Sequence, residues 1–390
     1  MERSAKNPSV LMEKRNIPIS IPSMGKEEWE ALRGPIESGW ITQGPNVKEF
    51  EQMFAARHQV KHALAVSNCT TALHLAMVAL GVKEGDEVLV PAFTWVSTAN
   101  AVVYCNATPV FVDIDPVTFN IDVEKIAEKI TPRTKAIIPV HLFGLCADIN
   151  YIKEKFPQLK IVEDGACAAG AALHGKPAGG LGDIGCFSFH PRKSVTTGEG
   201  GMLTTNDDKI AAHLDMLRNH GASISEEQRH HGPKPYILAA YDIVGYNYRM
   251  TDLQGALGKV QFGKLDKFID ERESWADYYS DQLKDLSWLR TPTVPDGYKH
   301  GWQSYVTFID ESLAPMKRND LMEMLQQKGI ATRPGTHAVH MLGAYANKYG
   351  IKPEDYPGAF SADQQSMSIP LHNRMVKEDF DYIIAALMQA

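Results

Sequence analysis

Short apolar runs recur through the first half of the chain, and each is only four to six residues long. Apolar runs of this length, with few polar positions inside each run, are typical of strands that are buried on both faces of a sheet. They predict seven strands, at His62–Ser67, Glu87–Pro91, Thr108–Asp113, Lys135–Val140, Lys160–Glu163, Gly185–Phe189 and Gly201–Thr205.

Segments with a helical spacing of apolar residues precede the strands or separate the earlier ones. The alternation of strands and helices predicts an α/β fold, in which a mainly parallel seven-stranded sheet carries helices on both faces. The predicted helices are Glu27–Glu37, Val47–Arg57, Thr71–Leu80, Ser97–Tyr104, Val123–Ile130 and Ile149–Phe156, and a further helix follows Asp207.

The pattern changes after residue 250. Residues Thr251–Leu286 read as one long helical stretch that begins at a good capping residue, although its three glycines weaken the case for an unbroken helix. A strand at Ser304–Ile309, a helix at Arg318–Lys328 and a last helix from Lys377 complete a smaller α+β unit. We therefore predict a large domain at 1–250, with an N-terminal arm, and a linking helix with a small C-terminal domain at 251–390.

The composition narrows the function classes. The 390 residues are 44% hydrophobic and 22% charged, as in ordinary soluble enzymes, and the net charge of −7 argues against a nucleic-acid partner. The five cysteines are scattered without a C-x-x-C pair, which predicts neither a disulfide framework nor a metal site. No apolar run is long enough to span a membrane, and Met1–Asn16 lacks the apolar core of a signal peptide, so we expect a cytoplasmic protein.

Lys193 is the first candidate for covalent chemistry. It lies just past the predicted strand Gly185–Phe189, which has Ser188 near its end and is followed by His190, in a turn rich in Thr and Gly. An amine presented at a strand end beside a hydroxyl is the setting expected for a Schiff-base lysine. The alternative is an ordinary solvated loop lysine.

Three further groups follow predicted strands and so belong to the edge where open parallel sheets bind ligands. The small polar segment Ser67–Thr71 opens a helix and suits a phosphate, or is a plain helix cap. Trp95 can stack on a planar ring or pack half-buried. Asp164 lies at the end of a buried strand, where a carboxylate needs a partner. The partner is either a protonated ring nitrogen or the N–H groups at the start of the next helix.

Together these groups match one ligand part by part. Phosphate would be held at Thr70, Thr71 and Ser188, the ring would stack on Trp95, its nitrogen would face Asp164, and an aldehyde would join Lys193. The molecule with those four parts is pyridoxal 5′-phosphate (PLP).

The chain resembles the sugar-nucleotide aminotransferases of the DegT/DnrJ/StrS family, which are fold-type I PLP enzymes like aspartate aminotransferase. The resemblance runs from about Ile19 to the C-terminus. Its motifs are Gly39–Pro45, Ser67–Leu73, Phe93–Asn100, Pro139–Gly144, Glu163–Ala166, Phe187–Lys193 with Thr197–Gly201, and Gly245–Thr251.

The resemblance implies roles for these residues. Lys193 would bind the cofactor aldehyde and carry protons, and Asp164 would keep the pyridine nitrogen protonated. Asn247 would reach into the neighbouring subunit of a homodimer, and Arg249 would contact the nucleotide diphosphate unless it forms a surface ion pair. His190 would lie near the cofactor.

The sequence departs from the family in two places. Cys167 stands where Gln or Glu is common, and a thiol is a poor hydrogen-bond partner for the phenolic oxygen of the cofactor. Cys69 replaces a usual Gly in the phosphate loop, so the backbone there must tolerate a Cβ.

The resemblance implies a two-step transfer from L-glutamate to a nucleotide-linked 3-keto or 4-keto deoxy sugar, in amino-sugar biosynthesis for O-antigen, lipopolysaccharide, capsule or antibiotics. Related dehydratases carry His in place of the lysine, and a non-catalytic regulator of this fold would be expected to lack Lys193 or Asp164, so both alternatives fit less well. Substrate contacts are expected near Thr42, Gln43 and Gly44, at Arg249, and in the loop Arg333–His337. His337 and His340 would contact the substrate or be ordinary loop residues, and the same two readings apply to His372.

Overall fold

Seven strands form the central sheet of the computed structural model, which describes residues 14–224, 236 and 238–390. In chain order the strands are β1 (His62–Val66), β2 (Glu87–Pro91), β3 (Thr108–Val112), β4 (Thr134–Ile137), β5 (Lys160–Asp164), β6 (Ile184–Ser188) and β7 (Gly201–Thr205). Their order across the sheet is β1-β7-β6-β5-β4-β2-β3. The predicted α/β fold with a mainly parallel sheet is confirmed.

Strand β7 alone runs antiparallel to its neighbours in this sheet. Parallel neighbours need a crossover that is usually a helix, whereas residues 189–200 connect β6 to β7 without one, so the chain turns back directly. This short return keeps Lys193 at the carboxyl end of β6. The segments that follow β1, β2 and β5 reach the same edge, because those strands run parallel to β6.

Alternate strand residues feed two apolar cores on opposite faces of the sheet, as the strand period requires. Leu64 and Val66 belong to one core and Ala63 and Ala65 to the other. The first core packs helices Cys69–Ala79, Ser97–Tyr104, Asp208–Arg218 and Pro357–Gln365; the second packs Pro45–His58, Ile149–Lys155 and Asp252–Gly263.

Three helix predictions need correction. Val123–Ile130 forms two 3-10 turns, Val123–Lys125 and Ala127–Lys129, because only Ile126 in this segment is fully buried and no apolar face supports an α-helix. The predicted helix 27–37 is split into Lys26–Ala31 and Arg33–Ser38, where Pro35 lacks the N–H that a continuous helix would use. The long helical stretch is also two helices, Asp252–Gly263 and Leu265–Leu283, and the break follows the last of its glycines.

The C-terminal residues have a core of their own. The strand Tyr305–Ile309 pairs with Leu289–Arg290 and Ser366–Ile369, and helices Leu265–Leu283, Arg318–Gln327 and Lys377–Met388 pack around them. Ile17 also belongs to this core and pairs with Ile330, so the N-terminal arm lies against the C-terminal unit. The division at residue 250 stays a prediction.

Smaller elements complete the described chain. They are the strands Phe93–Thr94, Ala172–Leu173, Lys176–Pro177, Tyr298–Lys299 and His337–Ala338, the helix Gly343–Tyr349, and the 3-10 turns Leu142–Gly144, Val339–Met341 and Pro353–Asp355. Among the helices that the structure describes, none combines the length and apolar character that crossing a bilayer requires. The segment 1–13, on which the expectation of no signal peptide mainly rests, lies outside the described residues.

Candidate active site

Lys193 lies in a tight turn at the carboxyl end of β6. Its backbone N–H donates to the carbonyl of His190 at 2.8 Å, and its Nζ lies 3.2 Å from the Sγ of Cys167. Burial works against the charge on this amine, but the neighbouring Cys167 sulfur and Asp164 carboxylate outweigh it, so the pKa of Lys193 is raised above its usual value. The half-buried amine therefore faces the end of β5 rather than open solvent.

Asp164 ends β5 and its side chain is almost fully buried. Its Oδ2 accepts from the hydroxyl of Thr98 at 2.8 Å, and its Oδ1 accepts from the backbone N–H of Ala166 at 3.2 Å. Burial raises the pKa of Asp164, while these two hydrogen bonds and the charge of Lys193 act in the opposite direction. A carboxylate has about four lone-pair sites, so two remain for a cationic ligand.

The segment after β1 forms the predicted helix start. Asn68 is the N-cap of helix Cys69–Ala79, and its side chain accepts from the N–H of Thr71 at 2.9 Å. The hydroxyl of Thr71 donates to the Asn68 carbonyl at 2.7 Å, so that proton is used within the cap. The first-turn amides of a helix have no acceptor within it, and they attract an anion.

The two cysteine departures have different consequences here. Cys69 is the first residue of the helix and is not among the residues with positive φ, so its Cβ causes no backbone strain. Gly201 is the residue that permits the close approach of this loop, because a Cβ there would lie 2.5 Å from the Asn68 carbonyl carbon. Cys167 contacts the lysine amine directly.

Trp95 lies at the rim of the site, 59% exposed. Its ring packs in a T-shaped arrangement against the ring of His337, with the two ring centroids 5.4 Å apart. The contact forms because the strand His337–Ala338 pairs with Phe93–Thr94. The structure thus brings together two residues that lie far apart in the sequence. His340 differs, since it is fully buried and its ring nitrogens face the carbonyls of Ala92 and Pro353; in this position it is a packing residue. His372 is likewise buried.

Ser188 and His190 lie between the helix start and the lysine turn. Ser188 is the last residue of β6, and its Oγ is 3.4 Å from the backbone N–H of His190. The ring of His190 accepts from the backbone N–H of Arg192 at 3.2 Å, and burial lowers the pKa of His190. Both side chains are half-buried on the same edge of the sheet as Lys193.

The segment around Arg249 lies against the end of β1. The N–H of Ser67 donates to the carbonyl of Tyr248 at 2.8 Å, and Arg249 donates to the side chain of Asn219 at 2.6 Å. Among the described residues, Arg249 therefore makes this neutral contact and none of the ion pairs considered from the sequence. Asn247, two residues earlier, is exposed.

Thr42, Gln43 and Gly44 pack beside the start of helix Asp252–Gly263. The carbonyl of Thr42 accepts from the N–H of Asp252 at 3.0 Å, and Trp40 donates from its indole to the Gln43 carbonyl at 3.1 Å. A Cβ on the buried Gly44 would lie 2.2 Å from the indole nitrogen, so only glycine fits. Thr42 remains exposed.

Three supporting residues escaped the sequence analysis. Thr98 holds Asp164; Gln303 donates to the Arg192 carbonyl at 3.0 Å; and the buried Arg272 donates to the Trp302 carbonyl at 3.1 Å, beside Ser194. Thr98 lies within the motif Phe93–Asn100 noted from the sequence, and that motif was a usable signal. For Gln303 and Arg272 no local pattern points to the lysine turn.

The side chains present fit PLP. A buried carboxylate with unfilled lone pairs suits a pyridinium nitrogen, a helix N-terminus beside small polar residues suits a phosphate, and the lysine amine lies near the carboxylate. Within the described residues no group of His, Cys, Asp and Glu side chains is arranged to hold a metal ion. The fold and this site define a fold-type I PLP-dependent aminotransferase.

Comparison with known proteins gives the family. Residues 22–388 match the DegT/DnrJ/EryC1/StrS aminotransferase family, and the chain belongs to it. It is 40% identical over 377 residues to GDP-perosamine synthase of Caulobacter vibrioides, covering 96% of this chain and 98% of that protein. It is 38% identical over 382 residues to the spore coat polysaccharide biosynthesis protein SpsC of Bacillus subtilis, covering 97% and 98%.

A solved structure extends the comparison to the cofactor. A Streptococcus pneumoniae protein assigned as a sugar aminotransferase is 28% identical, with a TM-score of 0.88 over 96% of this chain and 97% of that one in its PMP form. The same protein has been solved in its PLP form. The chain is a PLP-dependent sugar aminotransferase, and the prediction of its cofactor from the residues of the sheet edge is confirmed.

Proposed function

We propose that the protein transfers the amino group of L-glutamate to a nucleotide-linked 3-keto or 4-keto deoxy sugar. The observation that carries this proposal is that Lys193 and Asp164 lie close enough at one edge of the sheet for their charges to interact, next to the N-terminus of helix Cys69–Ala79. The similarity to GDP-perosamine synthase supports a nucleotide-linked substrate and makes GDP-linked sugars the first to test.

Each residue of the site has a defined task in this proposal. Bound PLP supplies an electron sink for the carbon that loses or gains a proton. Lys193 Nζ anchors the aldehyde and then moves the proton in both half-reactions, and Asp164 binds the ring nitrogen as an ionised acceptor. Trp95 covers the ring of the cofactor, and His190 and Cys167 flank the lysine. The phosphate is surrounded by Thr70, Thr71 and Ser188, although the backbone N–H of Thr71 already donates to the helix cap.

The sugar nucleotide would enter over the exposed side of this edge. Thr42, Gln43 and His337 are accessible there. Within the described part of the chain, the guanidinium of Arg249 donates to a neutral amide, which leaves donors for a diphosphate. Gly44 belongs to the same proposed contact segment, and it shapes that segment because only glycine fits beside the Trp40 indole. We leave His340 and His372 out of the substrate contacts because they are buried.

We further propose a homodimer with shared sites. Asn247 is exposed on the single chain, close in sequence to the exposed apolar residues Tyr241 and Val244, and a second copy would cover this segment. The two domains at 1–250 and 251–390 would then enclose each site with help from the partner. A cytoplasmic location and a place in the synthesis of an amino sugar for O-antigen, lipopolysaccharide or another polysaccharide complete the proposal.

The test begins with the purified protein loaded with PLP. Addition of L-glutamate without a sugar should convert the absorbance of the PLP form to that of the PMP form, and 2-oxoglutarate should appear in equal amount. Lys193→Ala should abolish this conversion, whereas Thr307→Val, which removes a buried hydroxyl in the C-terminal sheet, should leave it intact.

The acceptor is found with a panel of nucleotide-linked keto sugars added to the PMP form. Recovery of the PLP absorbance with one sugar identifies it, and mass spectrometry of the product shows whether an amine has replaced the ketone. An unchanged spectrum with glutamate, or full turnover by Lys193→Ala, would refute the proposed mechanism.

A further inference from the structure

Thr98 and Thr94 form a buried chain of hydroxyls that ends on Asp164. Thr98 Oγ1 lies 2.8 Å from Asp164 Oδ2, and Thr94 Oγ1 lies 3.1 Å from Thr98 Oγ1. All three side chains are at most 3% exposed, so no solvent replaces a missing donor. Thr94 ends the short strand Phe93–Thr94 and Thr98 lies in the first turn of the helix Ser97–Tyr104, so the short connection between these two elements brings the hydroxyls together.

The directions of these hydrogen bonds follow from counting protons. A hydroxyl has one proton, so if Thr98 donates to Asp164, the contact between the two threonines is donated by Thr94. In that arrangement Asp164 accepts at both oxygens, from Thr98 and from the N–H of Ala166, and an ionised carboxylate is the stronger acceptor for both bonds. A protonated Asp164 would still accept at its carbonyl oxygen, but its acidic proton would take up one acceptor site and both bonds would be weaker.

We propose that Thr98 is a positioning residue, which orients the Asp164 carboxylate and holds it as an ionised acceptor, so that its unfilled lone pairs are presented to the pyridinium nitrogen. This inference rests on the role proposed for Asp164. Thr98 itself touches neither cofactor nor substrate in this arrangement, and acts through the carboxylate.

The expected effect is on cofactor binding and its dependence on pH. The ionisable groups that face Asp164 are Lys193, His141 and the thiols of Cys69 and Cys186. Burial already raises the pKa of Asp164, and loss of the Thr98 donor raises it further. Because PLP needs the ionised carboxylate, binding should then be lost at a higher pH as the solution is acidified.

The experiment measures the Kd of PLP by equilibrium dialysis without any amino donor, from pH 5 to 8. Thr98→Val keeps the shape of the side chain and removes its hydroxyl donor, so PLP should bind roughly 10- to 100-fold more weakly. The pH at which binding is lost on acidification should rise by about one unit. Thr98→Ser keeps the hydroxyl and should restore most of the affinity. Thr307→Val removes an equally buried hydroxyl elsewhere and should change neither quantity.

A double-mutant cycle shows whether Thr98 affects PLP binding through Asp164. In an Asp164→Asn background, Thr98→Val should weaken PLP binding by no more than about twofold. A full effect in that background, or equal losses in the Val and Ser variants, would overturn the proposal, as would wild-type affinity in Thr98→Val. Should Thr98→Val fail to fold, Thr94→Val tests the same chain of hydroxyls, and we expect a smaller loss of PLP affinity and a smaller upward shift of the pH at which binding is lost.

The two proposals fail in different ways. Wild-type protein that binds no PLP, or shows no spectral change with glutamate, would refute the proposed function. Wild-type protein that does both, with Thr98→Val behaving identically, would refute only the role of Thr98.

Discussion

Glu163 offers the most direct test of how the site is supported, because its carboxylate lies in the core with all its acceptor sites used. Its Oε2 accepts from His141 Nε2 at 2.9 Å and from Gly179 N–H at 2.6 Å, and its Oε1 accepts from the N–H groups of Leu181 and Gly182. The ring of His141 accepts from a backbone N–H at its Nδ1, so its proton is on Nε2 and points at Glu163. Four donors therefore meet one carboxylate.

Glu163→Gln would remove two of the four hydrogen bonds that this side chain accepts. The amide has one oxygen and one NH₂ group, and the NH₂ group would face two N–H donors that it cannot accept. Hydrogen bonds to a charged group contribute about 1.5–3 kcal/mol each, so two losses should lower the free energy of unfolding by about 3–6 kcal/mol. Breaking a buried charged pair from one side has costs of the same size, about 3–5 kcal/mol.

Two measurements check this prediction. Hydrogen exchange followed by mass spectrometry should show faster exchange in the peptide that contains Gly179, Leu181 and Gly182, and the denaturant midpoint should fall. Glu87→Gln is the matched control, since Glu87 is also a buried strand carboxylate but it meets two side-chain donors, Thr131 and the largely exposed Arg133, so we expect a smaller loss of about 1–2 kcal/mol. Unchanged exchange and an unchanged midpoint in Glu163→Gln would refute the reasoning.

Three further predictions concern other contacts. Cys167→Ala should keep the Kd of PLP within about threefold of wild type, because a thiol is a weak hydrogen-bond partner; a loss above tenfold, measured by dialysis, would contradict it. Gln303→Ala should lower kcat by roughly two- to tenfold at saturating PLP, because the Arg192 carbonyl loses its anchor next to Lys193, while an unchanged kcat would show that the anchor is dispensable. Burial lowers the pKa of His58 from 6.5 to about 4, so the stability of the neutral ring is present above pH 6.5 and is lost as the pH falls toward 4. In urea titrations over that pH range, the free energy of unfolding of His58→Leu should fall by up to about 3 kcal/mol less than that of the wild type. If both proteins lose stability equally with falling pH, His58 is excluded as a cause of the acid destabilisation.

The sheet could be predicted from the sequence because its strands are buried on both faces. Such strands are marked by continuous apolar runs, and the predicted bounds agree with the structure within a few residues. The segment Val123–Ile130 was mistaken for a helix because spacing alone does not show that Val123 and Ile130 are only half-buried. Helical periodicity indicates a helix only where a core exists to cover the face.

The candidate site could be predicted only as far as it follows strand ends. Lys193, Asp164 and the segment after β1 reach one edge because parallel strands share a direction. The contact between Trp95 and His337 and the hold of Gln303 on Arg192 depend on how the C-terminal unit packs, which local sequence does not encode. The burial of His340 depends on the same packing.

The neighbouring carboxylates of β5 show why burial alone does not identify a ligand-binding group. Glu163 and Asp164 are both almost completely buried, and strand geometry directs them to opposite faces of the sheet. Glu163 meets four protein donors and has no acceptor site left, whereas Asp164 meets two and retains the rest. The count of lone pairs against donors therefore indicates that Glu163 supports the fold, and it favours the proposal that Asp164 is the carboxylate that binds the cofactor.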